Sequence, residues 1–199
     1  MALLEVDQLK KHFPVTGGVF LRRTATVHAL DGVSLTLDRG ETLGIVGESG
    51  CGKTTLGRCI MGLYPATSGE VRINGTRLGR MDGQTRKALS LKLQMIFQDP
   101  YESLDPRQTV QEILEEKFII HHRKTADLGD RILTLIDQVG LQPDALTKYP
   151  HEFSGGQRQR IGIARAISLE PDLIVCDEPV SALDVSVQSK ILNLLLDLQ

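Results

Sequence analysis

The segment Gly47-Glu48-Ser49-Gly50-Cys51-Gly52-Lys53-Thr54-Thr55 constrains this chain more than any other stretch. It fits Gly-x4-Gly-Lys-Ser/Thr, with the short apolar run Thr42–Val46 before it and the helix-compatible Thr54–Met61 after it. Glycines at these positions let backbone N–H groups converge on a phosphate, and the following helix adds the positive end of its dipole. Lys53 is then placed to bridge β- and γ-phosphates, and the Thr54 hydroxyl to hold magnesium. The pattern therefore demands a strand, a tight loop and a helix in that order. The continuous apolar run TLGIV reads as a strand buried on both faces, which implies a parallel sheet.

A second feature stands far downstream. Leu173–Cys176 (LIVC) is another short apolar strand, and it ends in the adjacent carboxylates Asp177 and Glu178. A carboxylate at a strand end is the usual partner of a phosphate loop for Mg²⁺, so Asp177 is expected to face the metal. Glu178 beside it is placed to take a proton from a water attacking the γ-phosphate.

Leu3–Leu9 and Val27–Leu37 alternate as strands, with FPVTGGVFLRR between them read as a surface loop inserted between edge strands. Asp38–Gly40 is a turn. Glu70–Ile73 reads as a strand closed by Asn74-Gly75, and Leu93–Phe97 as a further strand. From about residue 99 to 169 the 3.6-residue period dominates, as in Ile132, Leu135, Ile136 and Val139. Gln157–Ile167 is a helix approached through Ser154-Gly155-Gly156, with Ser154 as N-cap. A last helix puts Val187, Ile191, Leu194, Leu195 and Leu198 on one face. The order is that of a doubly wound α/β core with a helical insert.

Composition narrows the classes. The chain has 199 residues, enough for one domain with a subdomain set into it, and two independent domains are not expected. Lys and Arg total 23 against 25 Asp and Glu, so there is no positive field for nucleic acid or an anionic membrane. No apolar run approaches the roughly 20 residues of a membrane-spanning helix. The N-terminal MALLEVDQLKK lacks a signal-peptide pattern, and the free-thiol reading of Cys51, Cys59 and Cys176 suits a reducing cytosol. His121-His122 reads as a solvated helical surface pair and His151 as loop packing.

Phe153-Ser154-Gly155-Gly156-Gln157 followed by RQRIGIARA resembles the signature of ATP-binding cassette (ABC) ATPases. A serine hydroxyl, glycine N–H groups and a helix N-terminus together form a second anion site. The resemblance implies a P-loop NTPase (RecA-like) core with an antiparallel β edge subdomain and an inserted α-helical subdomain. Residues 1–199 would be one ABC ATPase domain incomplete at its C-terminus, with 1–98 and 170–199 as the nucleotide-binding core and 99–169 as the helical subdomain. It further implies ATP and Mg²⁺ as ligands. Gly47 to Thr55 would bind phosphates, with Lys53 also catalytic, and Ser154, Gly155, Gly156 and Gln157 would close over the nucleotide of a second subunit. Thr54, Gln98 and Asp177 would serve the metal, Glu178 and Gln98 the attacking water, and Asp184 the dimer interface through Ser181-Ala182-Leu183-Asp184. Phe13 would lie against adenine, or be an edge-strand core residue.

Gln98-Asp99-Pro100-Tyr101 continuing into SLDPR, YPHEFSGGQRQR and VSALDVSVQ are similar to the ATPase subunits of dipeptide, oligopeptide and nickel importers. By that resemblance the chain works as a head-to-tail homo- or heterodimer on the cytoplasmic face of the membrane. It would drive a separate permease, which docks near Tyr101–Arg107 and is served by an extracytoplasmic solute-binding protein. A non-transport ABC switch and an ATP-binding module without efficient turnover are the other classes considered. Gln199 comes before the family's γ-phosphate histidine, so the resemblance implies that this form binds Mg-ATP but turns it over poorly. Sheet strands beside that of Asp177 would be missing too.

Overall fold

A computed structural model describes residues 2–17, 22–79, 83–98, 103–123, 125–181 and 183–199. The chain separates into two compact units, Met1–Thr85 and Arg86–Gln199.

In the first unit, β1 (Leu4–Gly17) and β2 (Arg22–Leu37) form a long antiparallel pair, with Leu4 opposite Leu37 and Gly17 opposite Arg22. The pairing takes in Phe13–Gly17 and Arg22–Arg23, so much of the segment expected to be a loop is strand; Gly18–Leu21 lies outside the described residues. Strand pairing is non-local, and a cross-strand ladder overrides the turn signal of the glycines. Helix α1 (Lys53–Ile60) follows, then β3 (Ser68–Ile73) and β4 (Thr76–Leu78), which complete a sheet of order β2-β1-β3-β4. All three pairings are antiparallel. Leu4, Val6, Leu9, Val71 and Ile73 from the sheet, with Leu56 and Ile60 from α1, are buried. Between Val6 and Leu9 the register shifts at Gln8 (φ 43), which turns the alternation over and brings Leu9 rather than Gln8 to the apolar face.

The expected strand Thr42–Val46 does not form. The segment joins neither sheet and is exposed along its length, with Val46 at 95%. A run buried on both faces needs a partner strand on each side. The strands of the first unit pair only with one another, so the local apolar signal finds no ladder.

Helix α2 (Gly83–Lys92) straddles the boundary between the units and buries no side chain. In the second unit, β5 (Leu93–Ile96) pairs in parallel with β6 (Leu173–Cys176), Leu93 opposite Leu173 and Ile96 opposite Cys176. The helices run between these strands, as a parallel crossover requires. Among the described residues they include α3 (Val110–Ile120), α4 (Leu128–Gln138), two 3-10 turns (Pro143–Thr147 and Pro150–Glu152) and α5 (Gly155–Ile167). Thr109 starts α3 with a reciprocal cap: its N–H donates to Glu112 Oε2 at 2.7 Å, and its Oγ1 accepts from the Glu112 N–H at 3.3 Å. Val110, Ile113, Leu114 and Phe118 on α3 meet Ile132, Leu135 and Ile136 of α4 and Ile161 and Ala164 of α5 in one core. Helix α6 (Val185–Leu198) lays Ile191 into that core, with Val187, Leu194, Leu195 and Leu198 around it, as the spacing predicts. His121 and His122 correct the sequence reading, because they follow α3 rather than lie on it. His121 is its C-cap and half-buried, and His122 is left-handed (φ 53). Burial, then Lys87, Arg123 and Lys117, hold His121 below the usual imidazole range. Among the described residues no helix is long and apolar enough to cross a membrane.

Lys117 of α3 donates to Gln94 Oε1 of β5. Burial, and then the like charge of Arg165, push its ammonium from 10.5 down to about 7, with Glu116 opposing. Between pH 7 and 10 the unfolded chain binds more protons at this residue than the folded one, so stability rises with pH across that window and is lowest below it. Lys117→Met is expected to raise stability at pH 6 and flatten the rise. Urea unfolding at pH 6, 8 and 9.5 that shows equal slopes for both proteins would exclude Lys117 as the cause.

Candidate nucleotide site

The phosphate loop belongs to the first unit. Lys53 opens α1, and its Nζ turns back to donate to the carbonyls of Gly47 and Glu48, each at 3.0 Å. No side chain caps α1, whose N-cap is Gly52 at φ 103. That left-handed backbone favours glycine, and a Cβ there would also drive into the Ala29 carbonyl of β2, with Leu30 Cδ2 3.2 Å away. The loop therefore seats directly on the β1–β2 sheet. Gly47, Glu48, Ser49, Gly50 and Cys51 are exposed, while Thr54 and Thr55 lie half-buried in the first turn of α1. An uncapped helix start preceded by glycines and carrying a lysine is an anion cradle. Phe13 sits on β1, half-buried, with its ring edge-on to Tyr64 (5.6 Å between centroids) and Lys11 Nζ 4.7 Å from its centroid.

The second unit holds the carboxylates. Parallel pairing makes β5 and β6 end at the same edge, and the Asp177 N–H extends the ladder by one bond to the Ile96 carbonyl at 2.9 Å. Asp177 is only 8% exposed. Just past these ends, Gln98 Nε2 donates to Glu178 Oε2 at 3.1 Å and lies 3.5 Å from Ser181 Oγ. Ser181 Oγ donates in turn to the Glu178 carbonyl at 3.1 Å. Glu178 adopts φ 48, a left-handed conformation that costs a non-glycine residue about 1–3 kcal/mol and clusters at functional sites. Gln98, Glu178 and Ser181 are thus brought together. The sequence named all three, but only the parallel strand ends make Gln98 and Glu178 neighbours.

At the start of α5 the Ser154 N–H donates to Gln157 Oε1 at 3.0 Å, and Ser154 Oγ accepts from the Gln157 N–H at 3.3 Å, a reciprocal cap. A Cβ on Gly156 would stand 2.6 Å from Val187 Cγ1, so this glycine is what lets α6 pass close to the helix tip. Asp184 begins α6 with its carbonyl accepting from the N–H groups of Val187 and Gln188, and its side chain makes no cap.

A glycine loop ahead of a lysine-bearing helix, a parallel strand ending in paired carboxylates, and an inserted helical layer define a P-loop α/β nucleotide-binding protein. The chain belongs to the ABC transporter family, whose model matches residues 30–181. It is 49% identical over 199 residues to the oligopeptide transport ATP-binding protein AppF of Bacillus subtilis, with 99% of this chain and 60% of that protein covered. It is 52% identical to the oligopeptide transport ATP-binding protein OppF of Salmonella typhimurium, and 48% to the dipeptide transport ATP-binding protein DppF of Haemophilus influenzae, again over 99% of this chain and 60% of each relative. Among solved structures, the ATP-binding cassette MJ0796 in a dimeric post-hydrolysis state bound to ADP and Pi superposes with a TM-score of 0.83 at 30% identity, covering 96% of this chain and 81% of that one. The chain spans about 60% of the length of the curated relatives it matches.

Proposed function

We propose that this chain is the ATP-binding and hydrolysing part of an ABC importer subunit for di- or oligopeptides, in which ATP-driven dimer closure powers a separate membrane permease. The observation that supports the reading is the hydrogen bond from Gln98 to Glu178 beyond the paired strand ends, a carboxylate and an amide side by side. Similarity along 99% of this chain, over 60% of each relative, to peptide-transport ATP-binding proteins supports the cargo class.

Gly47 to Thr55 bind the phosphates, Lys53 neutralises charge that builds on the transferred phosphoryl, and Glu178 takes the proton of the attacking water. Phe13 stacks on the adenine. Ser154, Gly155, Gly156 and Gln157 close on the nucleotide of the second subunit, and Asp184 lies at that interface. Thr54, Gln98 and Asp177 are assigned to magnesium. An alcohol, an amide oxygen and a shielded carboxylate are hard oxygen donors that suit this ion, and bound there it supplies charge neutralisation to the phosphates. Residues 1–98 and 170–199 form the nucleotide-binding core and 99–169 the helical subdomain. The subunit sits on the cytoplasmic face of the membrane.

The test is phosphate release from Mg-ATP by this chain and by one extended to the length of its relatives. At least the extended protein is expected to hydrolyse ATP, and Gln98→Ala to slow it about 10- to 100-fold. No hydrolysis by either protein would overturn the reading.

A further inference from the structure

On the β1–β2 pair, His12 and His28 are direct cross-strand partners with stacked rings, 4.0 Å between centroids. Lys10 pairs with Asp31 and Lys11 with Leu30, so Ala29 has no opposite residue and is a bulge. Without it, residues three apart on a strand point to opposite faces. The extra residue turns His28 onto the face that Asp31 occupies. One donor atom from each of His12, His28 and Asp31 then falls within 4.8 Å of the others.

His12 Nε2 is shielded from solvent and makes no hydrogen bond, with Asp31 Oδ1 3.7 Å away. A buried polar nitrogen left without a partner is costly and calls for an explanation. The His12 backbone is itself fixed, its N–H donating to Thr67 Oγ1 at 2.9 Å. Lys10 Nζ forms an ion pair with Asp31 Oδ1 at 2.8 Å beside the two rings.

We propose that His12, His28 and Asp31 form a three-ligand site for a divalent transition-metal ion of the zinc class. Two imidazoles and a carboxylate are a donor set these ions favour, and three protein ligands leave a position for water. Bonds of about 2.0–2.2 Å require the three donors to close in on the ion, and the ion displaces the Lys10 ammonium from Asp31. The orphaned Nε2 gains its partner. Because the bulged Ala29 backs Gly52, the ion fastens the strand on which the phosphate loop rests.

Untagged, nucleotide-free protein titrated with Zn²⁺ against a chromophoric chelator is expected to bind one ion per chain with micromolar affinity. His12→Ala and His28→Ala each weaken it at least about tenfold, and His12→Gln and His28→Gln do the same where an alanine variant misfolds by circular dichroism. Lys10→Met tightens binding severalfold by removing the competing cation, which a purely structural cluster does not predict. A His121→Ala/His122→Ala protein binds like the parent. No binding at millimolar Zn²⁺, unchanged affinity in both His12 and His28 variants, or loss only in the His121/His122 variant overturns the assignment.

Discussion

Replacing Glu178 with glutamine is expected to slow phosphate release from Mg-ATP by about 100- to 10 000-fold, the contribution of a positioned general base, while nucleotide affinity changes less than about threefold. The substitution is close to isosteric. Its amide oxygen still accepts from Gln98 Nε2, now at 3.1 Å from Oε2, and the backbone carbonyl still accepts from Ser181 Oγ, so the left-handed geometry at φ 48 is retained. What disappears is the capacity to hold a proton taken from water. An unhydrolysed triphosphate then persists, and ATP is expected to convert the variant to a stable dimer measurable by light scattering. Single-turnover release equal to that of the parent protein would show that Glu178 is not the base. A fall in affinity matching the fall in rate would place its role in binding instead.

How much of this was readable in the sequence depends on how local the interaction is. The caps of α3 and α5 are complete within four residues, and Ser154 and Gln157 announce theirs directly. LIVC is short and apolar and forms β6 with the bounds it suggests, and α6 follows its apolar stripe. Failures occur where partners are distant. Thr42–Val46 has the composition of a buried strand but meets no ladder, whereas Phe13–Gly17 has turn residues and is held in one by β2. Helix α2 buries no side chain fully and so carries little periodic signal, and β4 is three residues long. The Gln98–Glu178 bond spans 80 residues. The signal that could have found it was available: residues just beyond two parallel strands share the carboxyl edge of the sheet. The His12, His28 and Asp31 cluster was hidden more deeply, since strict alternation sends His28 and Asp31 to opposite faces and only the bulge at Ala29 unites them.

Lys53→Ala is expected to weaken nucleotide binding by about 100-fold, with ADP and ATP both affected and ATP more so. The size follows from one or two charge-assisted hydrogen bonds to phosphate, each worth about 1.5–3 kcal/mol. The ammonium is held by the Gly47 and Glu48 carbonyls at 3.0 Å each, so it already sits within the loop and needs little reordering to meet an anion. These two bonds also close the loop on itself, and truncation removes the charge and the closure together. Lys53→Arg separates the two effects. It keeps the charge but replaces a compact point donor with a planar fork that fits two adjacent carbonyls poorly. If charge alone mattered, arginine would restore most of the affinity; if the geometry of the loop decides, arginine recovers less than a tenth of it. Calorimetric titration of all three proteins with ADP and a non-hydrolysable triphosphate distinguishes these outcomes, and affinity unchanged in Lys53→Ala would remove the phosphate assignment of the loop.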